Sequence, residues 1–337
     1  MKKAKILLFG NYGGQNWGDE VLLSGILSGI SPSFEILVVS SDPDFTRQIH
    51  GVDAVLPPPA GIRSFFRRES FRFFSVLKSA DFVFFGGGGL LQNREKSAIF
   101  LWFFYAKITQ FFQKKIFFVG NSIGPLSGFL AKFLAQSALK TAKFFSARDA
   151  FSFEFLKKIG KKKVAIAATD AAFLLPKFPE KKRRSGTILV FRGDGNISAR
   201  KIKNLFSALP KPISAIAMDK IDEKWAKKIG VKIQKPKNLA ELKSFFAGAK
   251  LVLSSRLHGA IAALCAETPF LAFSAAPKIR NFFAERGIGD AVFPEKFSRK
   301  KVLQKIQKMQ KNPLPLKKIR ILERKKAKNI LPPLFQK

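Results

Sequence analysis

Arg256 and His258 stand two residues apart in the segment LVLSSRLHGAIAALCAETPFLAF, which spans residues 251–273. A guanidinium binds phosphate or carboxylate through two parallel hydrogen bonds, and an imidazole can donate a proton near neutral pH. His258 is one of only 2 histidines in 337 residues, beside 61 Lys and Arg. The pair is therefore a candidate for binding an anion and protonating it. The alternative is that both side chains pair with nearby backbone groups or carboxylates of a capped, buried helix.

The residues around this pair predict a strand, a turn and a helix. Residues 251–253 are apolar, two serines that can cap a helix follow, and an apolar helix is expected over 260–266. Arg256 and His258 should then lie in the first turn of a helix, at the carboxyl end of a strand, where open α/β sheets bind ligands. Backbone N–H groups and the macrodipole favour an anion there. An arginine in this place is expected to have an anion beside it.

Glycine-rich or polar segments also follow predicted strands in the first half of the chain. They are GNYGGQNWGDE at 10–20, GGGG at 86–89, GNSIGP at 120–125 and SARD at 146–149. Glycine lets the backbone approach a ligand closely, and free N–H groups can cradle phosphate or carboxylate. The spacing is neither the dinucleotide fingerprint nor the nucleotide P-loop. The candidate substrate-binding residues are Gly13, Gly14, Asn16, Asp19, Gly87, Gly88, Gly89, Ser122, Gly124, Arg148 and Arg256.

Arg148 has two interpretations that the sequence leaves open. It follows a predicted strand at 144–146 and so could bind a phosphate or carboxylate through both guanidinium edges. It also precedes Asp149 at the predicted start of a helix, where the two side chains could simply pair. His50, the other histidine, is expected at the end of an early surface helix without a glycine-rich neighbour, and no role is predicted for it.

Continuous apolar strands alternate with helices throughout the chain, which is typical of parallel sheets covered on both faces. The Pro-containing, charged segment PKFPEKKRRSG at 176–186 is the predicted linker. The predicted domains are an N-terminal α/β domain at 1–175, a C-terminal α/β domain at 187–297 and a basic helical tail at 298–337. The fold class is thus α/β, with two doubly wound, Rossmann-like domains facing a cleft that carries the candidate residues.

The composition excludes several classes of protein. At 47% hydrophobic residues the chain can bury sizeable cores, and its single cysteine, Cys265, cannot form an internal disulfide. A reducing compartment fits this cysteine usage. The first residues read as a strand, not a signal peptide, and the apolar stretch 99–112 is too short to span a bilayer. We therefore expect a soluble cytoplasmic protein, with no metal site and no redox cofactor.

The formal net charge of +38 favours anionic partners. Because the lysines are spread along the whole chain, a generally basic solvated surface is favoured over a dedicated polyanion groove, and no specific nucleic-acid partner is expected. In the tail, three apolar residues at helical spacing, Val302, Ile306 and Met309, alternate with lysines. They predict a helix that packs one face on the body of the protein. The alternative is a basic amphipathic helix in peripheral contact with an anionic membrane.

The order and spacing of six segments resemble the polysaccharide pyruvyl transferase family over roughly residues 5–280. The segments are GNYGGQNWGDE, DFVFFGGGGLLQN, GNSIGPL, SARDAFS, TDAAF and SSRLHGAIAA. The resemblance implies a GT-B-like fold and an enzyme that moves a pyruvyl group from phosphoenolpyruvate onto a sugar, forming a pyruvate ketal and releasing phosphate. It also implies that Arg148 and Arg256 bind phosphoenolpyruvate and that His258 is the general acid.

The chemistry agrees with these residue types. Phosphoenolpyruvate carries a phosphate and a carboxylate, which planar guanidinium groups bind better than lysines do. The implied partners are phosphoenolpyruvate and a carbohydrate acceptor, which could be lipid-linked. Two alternatives remain at this stage: a nucleotide-sugar-dependent GT-B glycosyltransferase, and a basic anion- or nucleic-acid-binding protein.

Overall fold

The computed structural model describes residues 3–58, 68–92, 96–160, 165–195, 197–274 and 276–337. The chain divides into two compact units. The first unit comprises Met1–Gly14, Asp19–Leu175 and Glu323–Lys337, and the second comprises Gln15–Gly18 and Pro176–Leu322.

Within the described residues, the first unit contains a seven-stranded parallel sheet of order β3-β2-β1-β4-β5-β6-β7. The strands are β1 (Ala4–Phe9), β2 (Phe34–Val39), β3 (Asp53–Val55), β4 (Phe82–Leu91), β5 (Lys115–Ile123), β6 (Ala142–Ala147) and β7 (Ala165–Ala167). The helices are α1 (Trp17–Gly29), α2 (Pro43–His50), α3 (Arg68–Ser79), α4 (Lys96–Phe111), α5 (Phe129–Lys140) and α6 (Ala150–Lys158). The strand order reverses beside β1, as in a doubly wound fold.

Phenylalanine fills both faces of this sheet. On one face, the rings of Phe9, Phe85, Phe118 and Phe145 stack across β1, β4, β5 and β6, with successive ring centroids 5.0, 5.0 and 5.6 Å apart. On the other face Phe335, which is 1% exposed, contacts the rings of Phe34, Phe82, Phe84 and Phe117. These phenylalanine rings therefore make up much of the packing on both faces of the first sheet.

Among the described residues of the second unit, a six-stranded parallel sheet has the order β10-β9-β8-β11-β12-β13. The strands are β8 (Ser185–Val190), β9 (Ile213–Ile216), β10 (Lys232–Gln234), β11 (Ala249–Ser254), β12 (Phe270–Phe273) and β13 (Val292–Phe293). The helices are α7 (Ala199–Lys203), α8 (Lys220–Ile229), α9 (Leu239–Gly248), α10 (Leu257–Cys265), α11 (Pro277–Ala284), α12 (Arg299–Lys311) and α13 (Leu316–Ala327).

Strands β4 and β5 run further than the sequence predicts. The glycine-rich segments at 86–89 and 120–125 predict that these strands end at Phe85 and Val119, but β4 continues through 86–89 to Leu91 and β5 continues to Ile123. Pairing persists because Gly87 and Gly88 adopt positive φ and the register shifts between Gly88 and Leu91. The glycine run is therefore an irregular end of a strand, not a loop after it. The sequence also predicts a helix over 62–78, and residues 62–67 of that range lie outside the described residues.

The tail packs on the body of the protein. Val302, Ile306 and Met309 on α12 are buried in the core of the second unit, as the packing interpretation predicts. Further along, Glu323 is buried at 1% exposure and bonds Thr169, and residues 323–337 belong to the first unit. Residues 298–337 therefore divide between the two units. Among the described residues, no helix is both long and apolar enough to cross a membrane.

Candidate functional site

His258 lies in the first turn of α10, and a segment from the start of the chain approaches its ring. A β-carbon added to Gly18 would lie 2.5 Å from the imidazole Nδ1, so the ring occupies space that only glycine leaves open. The Gly18 N–H donates to Asn16 Oδ1 over 2.9 Å, and the Trp17 N–H donates to the Met218 carbonyl over 2.8 Å. These bonds hold residues 15–18 in the second unit beside His258.

Arg256, at the N-cap of α10, is paired with an anionic group of the protein itself, the carboxylate of Asp222. Arg256 donates from Nε and Nη2 to the two carboxylate oxygens of Asp222, over 3.0 and 2.5 Å. Asp222 is 1% exposed and also accepts the backbone N–H groups of Gly193 and Met218. The pairing with a carboxylate, which the sequence left open for Arg256, is present. Of the five N–H donors of a guanidinium, Asp222 uses two and leaves three.

Asp222 is itself an unusual carboxylate. Burial raises the pKa of Asp222, although the hydrogen bonds and charge of Arg256 oppose that shift. A raised pKa means that the folded protein bears a cost for keeping this carboxylate ionised. Groups with perturbed pKa values concentrate at functional sites, so Asp222 is a candidate for holding Arg256 in a fixed orientation.

Arg192 adds a second guanidinium at the carboxyl edge of the same sheet. It follows β8, which is the neighbour of β11, and its backbone N–H donates to the Ser255 hydroxyl over 2.9 Å. Its side chain is 41% exposed and donates from Nε and Nη2 to Asp194, and that hydrogen bonding raises the pKa of Arg192. Neither Arg192 nor Asp222 was predicted from the sequence. Gly193 and Gly195, which follow an apolar strand, were the available signal for Arg192.

In the first unit, a buried chain of polar groups holds the glycine-rich loop after β1. The Gly13 N–H donates to Glu20 Oε1 over 3.0 Å, and Glu20 Oε2 lies 2.7 Å from His50 Nε2. His50 Nδ1 lies 2.9 Å from the Ser24 hydroxyl. The side chains of His50 and Glu20 are both 0% exposed. The expectation that His50 is a surface residue without a glycine-rich neighbour is therefore wrong, because Glu20 alone joins it to Gly13.

The side chain of Tyr12 occupies the space where side chains at Gly10 and Gly86 would stand. A β-carbon at Gly10 would lie 2.3 Å from the Tyr12 ring, and one at Gly86 would lie 2.7 Å from its hydroxyl. The hydroxyl donates to the Gly86 carbonyl over 2.7 Å, and burial, with the charges of Asp19 and Glu20, raises the pKa of Tyr12 well above its ordinary value. Gly10 and Gly86 thus make room for a neutral, hydrogen-bonded tyrosine.

Arg148 is 4% exposed and is held by partners within the first unit. Its Nε donates to the Ser122 hydroxyl over 2.8 Å, and its Nη1 lies 3.3 Å from Asp170 Oδ2. Asp149, the pairing partner that the sequence offered, instead caps α6 by accepting the Ser152 N–H. The carboxylate partner of Arg148 is therefore Asp170, within the TDAAF segment.

Asn121 lies beside this network with its own side chain unsatisfied. It is 0% exposed on β5, between Gly88 of β4 and Ala147 of β6, and its carbonyl accepts the Arg148 N–H over 2.9 Å. Neither Oδ1 nor Nδ2 has a hydrogen-bond partner among the described residues. Buried polar groups are normally bonded, so this carboxamide departs from the usual pattern.

The predicted residues thus fall into two local groups. Within the second unit, Asn16 and His258 both lie beside Gly18, and Arg256 is the N-cap of the helix that carries His258. The first unit holds the others, around the carboxyl ends of β1, β4, β5 and β6: Gly13, Gly14, Asp19, Gly87, Gly88, Gly89, Ser122, Gly124 and Arg148. Among the described residues, no cluster of three or more His, Cys, Asp or Glu could hold a metal ion.

A family model described as polysaccharide pyruvyl transferase matches residues 16–276. The chain belongs to this family. The range that matches the polysaccharide pyruvyl transferase model includes Arg148, Asp222, Arg256 and His258. A search of curated proteins returned no match to this chain.

Solved structures similar to this pyruvyl transferase family member share its fold at low sequence identity. UDP-GlcNAc 2-epimerase from Neisseria meningitidis, bound to UDP-GlcNAc, has a TM-score of 0.60 and 10% identity, over 98% of this chain and 96% of that one. Anabaena HepE in complex with UDP-glucose has a TM-score of 0.61 and 11% identity, over 97% of this chain and 96% of that one. A glycosyltransferase from Rickettsia africae has a TM-score of 0.57 and 14% identity, over 98% of this chain and 94% of that one. The predicted fold class, two doubly wound α/β domains of GT-B type, is confirmed.

Proposed function

We propose that the protein transfers a pyruvyl group from phosphoenolpyruvate to a sugar of a cell-surface polysaccharide or of its lipid-linked precursor. The product is a pyruvate ketal, and phosphate is released. Membership of the family supports this proposal, and the observation that carries it is the arrangement of an oriented Arg256 at the N-cap and His258 in the first turn of α10. The protein would act in the cytoplasm.

Arg256 would bind an anionic group of the donor. Its guanidinium is fixed by Asp222 through two hydrogen bonds, which leaves three N–H groups that Asp222 does not use. The helix start adds backbone N–H groups that favour the same negative charge. Arg148 would bind the donor as well, with its guanidinium held by Ser122 and Asp170. Prior fixing of both groups lowers the entropy lost when the donor binds.

His258 would supply the proton that starts the reaction. Protonation of the donor's methylene carbon makes a methyl group and leaves C2 electrophilic, so that an acceptor hydroxyl can attack it. A second hydroxyl of the acceptor then displaces phosphate from C2, which closes the ketal. The two hydroxyl protons balance the step, since one returns to His258 and the other leaves with phosphate. Gly18 would keep the imidazole in one orientation for this transfer.

The test is a reaction in deuterated water with phosphoenolpyruvate and candidate sugar acceptors. We expect release of inorganic phosphate and a ketal whose methyl group carries one solvent deuterium, detected by NMR and mass spectrometry. Phosphate release without a sugar ketal would point to simple hydrolysis of the donor. No turnover with any acceptor, together with no binding of phosphoenolpyruvate by calorimetry, would contradict the proposal.

A second candidate function is nucleotide-sugar-dependent glycosyl transfer or epimerisation. Two of the structural neighbours favour it, because the Neisseria meningitidis enzyme was solved with UDP-GlcNAc bound and Anabaena HepE with UDP-glucose bound. The same calorimetric experiment separates the two functions. Binding of UDP-GlcNAc or UDP in preference to phosphoenolpyruvate would support the second candidate.

A further inference from the structure

Three successive helices of the first unit display large apolar side chains at their N-terminal ends. Their exposed fractions are 48% for Phe100 on α4, 85%, 54% and 53% for Phe129, Leu130 and Phe133 on α5, and 65% for Phe151 on α6. We propose that these five residues, here called the aromatic rim, dock the protein on the surface of an anionic lipid bilayer. The exposure and the charge of the aromatic rim would favour docking whether or not the protein transfers a pyruvyl group.

The topology brings the members of the rim to one edge of the first unit. Helices α4, α5 and α6 follow β4, β5 and β6, which are neighbours in a parallel sheet. The three helices pack on the same core through Ile99, Leu134 and Leu156 and so lie on one face of the sheet. Each helix starts where its strand ends, so the rim lies at the carboxyl edge of the sheet.

The outer aromatic residues of α5 lie away from the face that the helix buries. The inner face of the helix already buries Ala131, Leu134, Ala135, Ala138 and Leu139. Phe129 and Phe133 lie one turn apart on the outer face, with stacked rings whose centroids are 6.4 Å apart. Neighbouring exposed apolar side chains of this size are typical of surfaces that bind a protein or a membrane.

Charge favours an anionic membrane over a second copy of the chain. No Asp or Glu occurs between Lys96 and Arg148, a stretch that contains four of the five rim residues. The exposed Lys132 lies between Leu130 and Phe133. On α6, Glu154 is paired with Lys157. Two such surfaces would repel each other, whereas basic residues beside aromatic ones suit anionic lipid headgroups and the acyl boundary below them.

The position of the rim also gives it a use. Ser122 and Gly124 lie at the end of β5, on the same edge of the sheet and a few residues before Phe129. A bilayer that accepts the rim would therefore lie next to the glycine-rich ends of β4 and β5. A sugar carried on a membrane lipid would meet that edge without leaving the membrane surface.

Vesicle co-sedimentation of the full chain tests the inference. The probes are vesicles of phosphatidylglycerol with phosphatidylcholine and vesicles of phosphatidylcholine alone. The variant is F129S/F133S, and the matched control is F111S, because Phe111 is 80% exposed at the opposite end of α4. We expect the wild-type protein to bind anionic vesicles in a salt-sensitive way, the double variant to bind at least about tenfold more weakly, and the control to bind like wild type.

Three further measurements complete the test. The double variant should keep the wild-type melting temperature, since its substituted side chains are solvent-exposed, and it should still turn over a soluble acceptor. Equal loss of vesicle binding in F111S would show that any exposed phenylalanine binds the vesicles nonspecifically. That result would overturn the assignment of docking to the aromatic rim. If the wild-type protein is a dimer, the double variant is a monomer and neither binds vesicles, the rim is a contact between copies of the chain. That result would also overturn the assignment of the rim to membrane docking.

Discussion

The backbone of Gly18 lies against the imidazole of His258, so that a β-carbon on Gly18 would stand 2.5 Å from Nδ1. Distances below 3.0 Å essentially never occur for real β-carbons, so any side chain here must displace the ring. The proposed acid is thus oriented by a residue 240 positions earlier in the sequence. A substitution at Gly18 changes the position of the proposed acid, whereas a substitution at His258 removes the acid. The two effects can therefore be tested separately.

Gly18→Ala should lower turnover without unfolding the protein. Gly18 is the second residue of α1, and alanine is a better helix former than glycine. The melting temperature should therefore hold while kcat falls, because the displaced imidazole no longer reaches the methylene carbon. Gly248→Ala is the control, at the end of α9 with open space around the added carbon among the described residues. Equal kcat in both variants would mean that the ring position does not matter.

His258→Gln should keep the fold and most of the donor affinity while kcat falls by roughly 10²–10⁴, the usual share of general acid catalysis. Glutamine can still donate a hydrogen bond but cannot release a proton to carbon. The measurement is single-turnover kinetics with phosphoenolpyruvate, beside calorimetric binding of the donor. A variant within a few-fold of the wild-type rate would leave His258 without an acid role.

His50→Gln should act on stability. His50 joins Glu20 and Ser24 inside the first unit, and glutamine cannot reach both at the same geometry. One buried polar group left unsatisfied costs about 1–3 kcal/mol, so urea unfolding should shift to a lower midpoint. Because Glu20 holds the Gly13 N–H, the glycine-rich loop should exchange its amide hydrogens faster. An unchanged unfolding midpoint would show that the hydrogen bonds of His50 contribute nothing.

Arg256→Lys should weaken donor binding about ten- to a hundredfold, the value of one charge-assisted hydrogen bond of roughly 1.5–3 kcal/mol. Lysine keeps the charge but cannot contact Asp222 and the donor in the planar arrangement of a guanidinium. Calorimetry with phosphoenolpyruvate measures the effect, with Arg299→Lys as the control, since Arg299 is an exposed residue of α12. An unchanged dissociation constant would remove Arg256 from the donor site.

Asp222→Asn should reveal the cost of the buried carboxylate as a function of pH. Folding raises the pKa of Asp222, so between its unfolded value of about 3.9 and its folded value the folded state binds more protons. Its contribution to stability is therefore greatest below the unfolded pKa and declines as pH rises through the folded pKa. Asparagine does not titrate. The melting temperature of wild type minus that of the variant should shrink from about pH 4 to about pH 7, and a difference that grows instead would contradict the assignment.

The sequence predicts the alternation of strands and helices and the position of Arg256 and His258, because both depend on local patterns. It does not predict Asp222 as the partner of Arg256, since 34 residues separate the two. It places His50 on the surface because a helix end with polar neighbours looks exposed until the packing of α1 on α2 is known. The continued strands β4 and β5 were also missed, since consecutive glycines normally end a strand and here their positive φ keeps the pairing.

The packing of Phe335 has a consequence for synthesis on the ribosome. Its ring completes a face of the first sheet against Phe34, Phe82, Phe84 and Phe117, and Ile30 pairs with Gln336 across a β-bridge. The early residues of the first unit thus cannot complete their packing until residues some three hundred positions later have been translated. During translation, that apolar face stays open while the second unit is made. Chaperone dependence should therefore be greatest in nascent chains that stop just short of residue 335.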